Sequence, residues 1–225
     1  MTTKVEYQSE SGQRATGELV LPPGEGRVGA VMVFHEWWGL NDHMRSIIEK
    51  IAAQGFLTLC LDLFDGTTTR DAAEAAKMLG ALDWERAMDR AKGAFAYLKQ
   101  HPRANGKVAA LGFCMGGALT FAAAVHVRGL SAVVPFYGLP GKDISEYDAI
   151  DAPVLGHFAK RDDWVKPEAI DAIRERLLAQ GKSIKTEFYE ADHAFVNDTR
   201  PEVYSPDNAK LALDRTFAFL KQHLA

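Results

Sequence analysis

One six-residue stretch of the sequence, 112–117, has the composition of a turn that presents a nucleophile. It contains Gly-Phe-Cys-Met-Gly-Gly and follows an apolar run at 108–111 that predicts a buried strand. The small, apolar residues at 118–125 predict a helix after it. Glycines on both sides of Cys114 allow a sharp strand–turn–helix elbow. Free N–H groups at the helix N-terminus would favour a thiolate there, so we interpret Cys114 as a nucleophile. The alternative is a buried, inert cysteine.

An acid and a histidine follow the elbow in the order that this interpretation requires. His193 comes directly after a predicted strand at 185–190, and Asp162 and Asp163 come after one at 153–159. His193 can act as a general base and then as an acid toward the leaving group. An aspartate would hold its imidazole in the useful tautomer. We favour Asp162 because it is the first of the two after the strand, and Asp163 is the alternative.

Thiolate attack on an acyl carbon also requires N–H donors for the developing oxyanion. We expect one backbone N–H from Met115, directly after the nucleophile, and one from Trp37, in the loop after an earlier strand.

Glu36 lies in the same loop as Trp37. Its charge would oppose thiolate formation, but the carboxylate could instead accept the thiol proton; the alternative is a surface glutamate. Trp37 and Trp38 are candidates for the wall of a pocket.

Apolar runs alternate with helical patterns along the chain and predict an α/β fold with a mainly parallel sheet and helices on both faces. The predicted strands lie at 5–8, 15–21, 28–34, 56–61, 108–111, 130–137, 153–159 and 185–190. The predicted helices lie at 42–54, 71–79, 84–100, 118–125, 167–180 and 206–224. The candidate site residues follow strands, so we expect them together beyond one edge of the sheet. The sequence shows no linker and no internal repeat, so we expect residues 1–225 to form a single domain.

Composition narrows the class of protein further. The 225 residues carry a formal net charge of −4 and no basic run, which gives no electrostatic case for nucleic acid. Neither a signal peptide nor a membrane span is predicted, and Cys60 and Cys114 are too few for a disulfide framework. No spacing typical of metal ligands or phosphate loops is present. We expect a cytoplasmic protein, a monomer or weak homo-oligomer, that acts on a small molecule without cofactor or metal.

Four stretches together resemble the dienelactone hydrolase family of α/β-hydrolases, the carboxymethylenebutenolidases. They are 35–41 (His-Glu-Trp-Trp-Gly-Leu-Asn), 112–117, 162–167 and 191–195 (Ala-Asp-His-Ala-Phe). The resemblance implies an α/β-hydrolase fold and a triad of Cys114, Asp162 and His193. It also implies that Glu36 pairs with the resting neutral thiol and takes its proton when substrate arrives.

The family's substrate is an anionic unsaturated lactone from the catabolism of chlorinated aromatics, which is opened to maleylacetate without a cofactor. The resemblance implies substrate binding by Arg70 and Tyr137, beside Trp38, which the residues alone made a candidate for the pocket wall. A second family arginine has no match here, because Val196 and Asn197 stand in its place. Two alternatives therefore remain beside dienelactone hydrolysis. One is a cysteine-dependent esterase or thioesterase for another small substrate, and the other is a binding or redox-sensing protein on the same fold.

Overall fold

A computed structural model of the chain describes residues 2–138, 141 and 144–225. In this part of the chain, eight strands form one sheet: β1 (Thr3–Gln8), β2 (Arg14–Val20), β3 (Val28–Phe34), β4 (Leu57–Leu61), β5 (Ala104–Phe113), β6 (Ala132–Phe136), β7 (Val154–Arg161) and β8 (Ile184–Asp192). The helices are α1 (Asp42–Ala53), α2 (Ala72–Gly80), α3 (Trp84–Gln100), α4 (Met115–His126), α5 (Pro167–Ala179) and α6 (Pro206–Leu224). A short 3-10 helix spans Ile144–Ala149.

The strands follow the order β1-β2-β4-β3-β5-β6-β7-β8 across the sheet. β1 pairs with β2, and β2 with β4, in antiparallel fashion, and all the other neighbours are parallel. The prediction of a mainly parallel α/β sheet is therefore confirmed. In this order the carboxyl ends of β3, β5, β6, β7 and β8 lie side by side at one edge of the sheet.

Both faces of the central strands are covered, which explains their uninterrupted apolar sequences. Along β3, Met32 and Phe34 pack into a core shared with α3, α4 and α5. Val31 and Val33 face the opposite side, where they pack into a core shared with α1 and α6. All four side chains are fully buried.

Three helices begin where an Asn or Asp side chain accepts the backbone N–H three residues later, which satisfies a donor left free at a helix start. These residues are Asn41 before α1, Asp71 before α2 and Asp83 before α3, with oxygen–nitrogen distances of 3.1, 2.8 and 3.0 Å.

The elbow strand begins earlier than the predicted 108–111. β5 starts at Ala104 and includes the pair Asn105-Gly106, a dipeptide typical of turns. Gly106 has a φ of 93°, and the pairing of β3 with β5 shifts register between Val28 and Ala30. A glycine with positive φ beside a register shift is typical of a β-bulge, which continues the strand with a local bend.

His157 of β7 forms a buried polar link between the sheet and α6. Its Nδ1 lies 2.8 Å from the Tyr189 hydroxyl, and its Nε2 lies 3.0 Å from Oγ1 of Thr216. The Thr216 hydroxyl donates to the Ala212 carbonyl, so Nε2–H is the donor to Thr216 and Nδ1 accepts from Tyr189. Burial, with added repulsion from Arg215 and Lys185, lowers the pKa of His157 to about 3.

The buried neutral His157 predicts that the protein loses stability in mild acid. The pKa of His157 is about 3 when folded and about 6.5 when unfolded, so its contribution is complete above pH 6.5 and is lost as pH falls toward 3. Between pH 7.5 and 5.5 this loss is about 1.4 kcal/mol. Urea unfolding at both pH values should show it in the wild type and in the exposed control His126→Gln. In His157→Gln the loss should be smaller by about this amount, and a loss equal to that of the wild type would refute the assignment.

Candidate active site

The elbow between β5 and α4 holds Cys114 in a strained conformation. Its φ and ψ are 56° and −117°, a region that residues other than glycine rarely adopt. Two bonds secure the turn: the Cys114 N–H donates to the Phe136 carbonyl at 3.0 Å, and its carbonyl accepts from the Ala118 N–H at 3.1 Å. The strain is therefore fixed by backbone contacts with β6 and α4, and the side chain stays partly exposed at the helix N-terminus.

Two glycines are required around this turn because backbones approach too closely for a side chain. A Cβ on Gly112 would lie 2.2 Å from the carbonyl oxygen of Gly116. A Cβ on Gly116 would lie 2.2 Å from the carbonyl oxygen of Phe34 and 2.7 Å from that of His35. The first turn of α4 is thus pressed against the end of β3.

The structure brings His193 and Asp162 together. Nδ1 of His193 lies 2.8 Å from Oδ2 of Asp162, which is buried. The other Asp162 oxygen accepts the N–H groups of Trp164 and Val165 at 2.8 and 2.9 Å, so the carboxylate is fixed in place. The Asp163 side chain is 99% exposed and faces Lys166. Of the two predicted alternatives, Asp162 is the one positioned to orient His193.

The Cys114 side chain also acts on the imidazole of His193. Burial lowers the pKa of His193, but the hydrogen bond to Asp162 and the interaction with Cys114 outweigh it and raise this pKa to about 10. A protonated imidazole is therefore stabilised between a carboxylate and a sulfur atom at neutral pH.

Glu36 is not a surface residue, because it is 2% exposed. Its Oε2 accepts the Asn197 side-chain N–H at 2.6 Å, and its Oε1 lies 3.5 Å from the Tyr137 hydroxyl. Burial raises the pKa of Glu36, while His43 and the hydrogen bond from Asn197 oppose that rise. A carboxylate with a raised pKa is a better proton acceptor at neutral pH. The pairing of Glu36 with the resting thiol stays a prediction, since the described partner of Cys114 is His193.

His35 fixes the loop that carries Glu36. The backbone N–H of Leu63 donates to its Nε2 at 3.1 Å, so its Nδ1–H is the donor to the Glu36 carbonyl at 2.7 Å. Burial lowers the pKa of His35, which favours the neutral ring that this pattern requires. His35 therefore ties the end of β3 to the loop after β4.

The predicted oxyanion donors, Trp37 and Met115, belong to the two segments that meet at Gly116. In the part of the chain that the structure describes, neither backbone N–H has an acceptor. Free N–H groups at a helix start and in the adjacent loop can stabilise a negatively charged oxygen. Their assignment as oxyanion donors stays a prediction.

Tyr137 supports the site from behind. It is fully buried, and its φ of 34° lies in the left-handed region. Its ring packs edge-on against His193 with centroids 5.2 Å apart, and its hydroxyl lies 3.5 Å from Oε1 of Glu36. Burial raises the pKa of Tyr137 well above its usual range, so the hydroxyl stays protonated. Direct binding of substrate by Tyr137 stays a prediction.

A cavity of about 540 Å³ lies beside the triad and contains the predicted substrate residues Trp38 and Arg70. Arg200 and Asn197 also line it, whereas Cys114 and His193 do not. The Arg200 guanidinium lies 5.4 Å from the Trp38 ring centroid, and the Thr69 N–H donates to the Trp38 carbonyl at 3.1 Å. Because Asn197 also bonds Glu36, this residue connects the cavity to the Glu36 carboxylate.

Sequence reasoning missed two residues of this region, Asn197 and Arg200. Both lie within seven residues of His193, in the loop between β8 and α6. The available signal was their position after the histidine, where the resemblance implies an arginine. Asn197 holds the Glu36 carboxylate in that place, and Arg200 lines the cavity three residues later.

The fold and the site define an α/β-hydrolase that acts on ester or lactone bonds. The sequence model of the dienelactone hydrolase family matches residues 16–224, and the chain belongs to that family. It is 31% identical to "Protein usf" of Aquifex pyrophilus over the whole of both chains. It is 29% identical to a carboxymethylenebutenolidase of Pseudomonas sp. strain P51, over 99% of this chain and 96% of that one.

Solved structures agree with this assignment. A dienelactone hydrolase-like promiscuous phosphotriesterase from metagenomic libraries superposes with a TM-score of 0.88 at 25% identity, covering 100% of this chain and 99% of that one. An esterase from Pyrococcus furiosus, 18% identical, shares the fold with a TM-score of 0.72 over 100% of this chain and 94% of that one. Among the described residues, no helix has the length and apolar character to cross a membrane, and no three His, Cys, Asp or Glu side chains group as metal ligands would.

The contact between Asp162 and His193 predicts how the histidine titrates. Asp162→Asn keeps an oxygen for the N–H groups of Trp164 and Val165 but removes the negative charge, so the pKa of His193 should fall from about 10 by at least about one unit. NMR titration of the His193 ring nitrogens measures this directly. Asp163→Asn is the matched control and should leave the value unchanged. A fall in the control, with none in Asp162→Asn, would reverse the assignment.

Proposed function

We propose that the protein hydrolyses a small lactone or ester that carries a carboxylate, of the dienelactone-to-maleylacetate type, through a cysteinyl acyl-enzyme. The observation that carries the proposal is the hydrogen bond between Asp162 and His193 together with the interaction of His193 with Cys114 at the elbow. A nucleophile, a proton carrier and an orienting acid in contact are the requirements of acyl transfer.

Glu36 and His193 divide the proton transfers of the first half-reaction. The hydrogen bond to Asp162 raises the pKa of His193, so in this scheme its ring already holds a proton and does not take the one from the thiol. Glu36, whose pKa burial raises, takes it when substrate binds. The sulfur of Cys114 then attacks the carbonyl carbon, and the N–H groups of Trp37 and Met115 stabilise the oxyanion. His193 gives its proton to the leaving oxygen as the carbon–oxygen bond breaks.

The second half-reaction restores every group. Water attacks the thioester, and neutral His193 takes its proton as general base. The carbon–sulfur bond breaks, the carboxylic acid leaves, and the thiolate of Cys114 recovers its proton from Glu36. His193 is again protonated, and Asp162 keeps its ring oriented throughout.

Two arginines in the adjacent cavity support an anionic substrate. Arg70 is exposed, and the Arg200 side chain is 32% exposed, so both guanidinium groups are accessible from solvent. Arg200 pairs with Glu202 at 2.8 Å, but the Glu202 side chain is 58% exposed, and such surface pairs are weak. A substrate carboxylate can compete for this guanidinium and gain charge-assisted hydrogen bonds. Arg200 would thus serve in place of the arginine that the chain lacks at Asn197.

Substrate hydrolysis by variants at Cys114 tests the reaction itself. The wild type should hydrolyse dienelactone in preference to neutral p-nitrophenyl acetate, and Cys114→Ala should lose both activities because the nucleophile is gone. Cys60→Ala is the matched control, since Cys60 is fully buried in β4 and should retain both. Activity on the neutral ester alone would favour the esterase alternative. Folded wild type without activity on either substrate would favour the binding or redox-sensing alternative.

Removal of the cavity arginines tests the substrate's charge. For Arg70→Ala and Arg200→Ala, KM for dienelactone should rise by about tenfold to a hundredfold, because a hydrogen bond to a charged group contributes about 1.5–3 kcal/mol. KM for p-nitrophenyl acetate should not change. Arg128→Ala, which removes an exposed arginine bonded to Ala149 and Asp151, is the control. Equal effects on both substrates would contradict a carboxylate contact.

A further inference from the structure

Three tryptophan rings in mutual contact connect the cavity to the surface beside the triad acid. Trp38 lines the cavity, and its ring centroid lies 5.4 Å from the Arg200 guanidinium. The Trp37 ring centroid lies 5.0 Å from that of Trp38 and 6.1 Å from that of Trp164. The ring planes meet at 67° and 66°, and near-perpendicular contacts cover less ring surface than parallel stacks do. This row of rings therefore has surface left for a further planar group.

Trp164 is the exposed end of the row. Its exposed fraction is 65%, the highest among the large hydrophobic side chains that the structure describes, whereas Trp38 is buried and Trp37 is half-buried. A single exposed hydrophobic side chain is ordinary, but the Trp164 ring continues an aromatic surface that reaches the cavity. Aromatic surface that adjoins a few polar groups is typical of small-molecule sites.

The backbone that carries the Trp164 ring is fixed. The N–H groups of Trp164 and Val165 both donate to Oδ1 of Asp162, at 2.8 and 2.9 Å, and the Lys166 ammonium donates to the Asp162 carbonyl at 3.0 Å. The neighbouring Val165 side chain is buried. A tryptophan side chain has only two rotatable bonds, so the ring loses little conformational freedom when a ligand covers it.

The contact between Trp37 and Trp164 joins two loops on which the proposed reaction depends. Trp37 follows Glu36, and its backbone N–H is a proposed oxyanion donor. Trp164 lies two residues after Asp162, which holds His193. A substrate whose carbonyl oxygen accepts the Trp37 N–H therefore has its substituents within reach of these two rings.

We propose that Trp37 and Trp164 form a subsite for a planar apolar group of the substrate, such as the ring of an aryl ester. This inference rests on the proposed function, because the ring belongs to the ester that Cys114 attacks. The aryl group packs against the indole rings and covers the exposed surface of Trp164. A carboxylate on the same molecule binds at Arg200, at the other end of the row. The substrate class is thus an aryl ester that carries a carboxylate.

Truncation of Trp164 tests the subsite with two neutral esters. For Trp164→Ala, kcat/KM for phenyl acetate should fall by about threefold to tenfold, because a contact between aromatic rings is lost. The value for trifluoroethyl acetate, which has no ring, should change by less than about twofold. Trp164→Phe keeps an aromatic ring and should retain most of the activity on phenyl acetate. Trp84→Ala is the matched control, since Trp84 is 44% exposed and lines a different cavity.

The two esters separate recognition of a ring from support of the triad. An equal fall for both esters in Trp164→Ala would assign Trp164 to holding Asp162 in place and would overturn the proposal. An unchanged value for phenyl acetate would overturn it as well.

A second measurement does not depend on turnover. The indole N–H signals of the four tryptophans, assigned by replacing each with phenylalanine, are followed as p-cresol is added to 15N-labelled protein. The signals of Trp37 and Trp164 should move along one saturation curve, while that of Trp84 stays in place. Equal movement at Trp84 would indicate contact with any exposed ring and would overturn the inference.

The same titration distinguishes failure of the subsite from failure of the proposed function. An unmoved Trp164 signal in a protein whose ester hydrolysis requires Cys114 overturns the subsite and retains the reaction. Movement at Trp37 and Trp164 in a folded protein that hydrolyses neither these esters nor dienelactone retains the subsite and rejects the proposed function.

Discussion

The site depends on the close packing of the α4 N-terminus against the ends of its neighbouring strands. Gly112 and Gly116 allow backbone atoms to approach where a Cβ would lie 2.2 Å from a carbonyl oxygen. This contact fixes Cys114 in its strained conformation and places the start of α4 against the loop after β3. The strand order then supplies the remaining groups from adjacent strands: Glu36 after β3, Tyr137 after β6, Asp162 after β7 and His193 after β8. One packing contact and one strand order thus assemble five side chains.

A buried carboxylate beside a nucleophile is the second constraint on this site. An ionised Glu36 without partners would be costly in the interior, and a protonated one cannot accept a proton. Asn197 and Tyr137 supply hydrogen bonds, and His43 and His193 supply favourable electrostatics, so the two protonation states come closer in free energy. Under the proposed mechanism this balance lets Glu36 take the thiol proton. His193, whose pKa is raised, then keeps its own proton for the leaving group.

Much of this arrangement can be predicted from local sequence patterns. Apolar runs mark the strands and their ends, and the glycines around Cys114 mark the elbow. Residues 112–117 indicated the turn, and the apolar runs placed His193 and the two aspartates on one edge of the sheet. The choice between Asp162 and Asp163 depends on which side chain is buried next to His193. Two consecutive aspartates in a sequence do not show this. The elements themselves deviate where tertiary pairing overrides a turn signal, as at Gly106 inside β5. Arg70 and Arg200 are 130 positions apart, and only the folded chain shows that they line one cavity.

Four residues of the loop between β8 and α6 each contact a different part of the candidate site. His193 contacts Asp162, Asn197 bonds Glu36, Asp198 bonds His43, and Arg200 lines the cavity. Within this loop, the Arg200 N–H donates to the Asn197 carbonyl at 3.1 Å, so a ligand that moves Arg200 acts on the residue that bonds Glu36. Under the proposed mechanism, a carboxylate bound at Arg200 is therefore coupled through Asn197 to the group that takes the thiol proton. The same short loop would then bind the substrate carboxylate through Arg200 and hold Glu36 through Asn197. Under this mechanism, substrate binding and thiol activation are coupled because both depend on that loop.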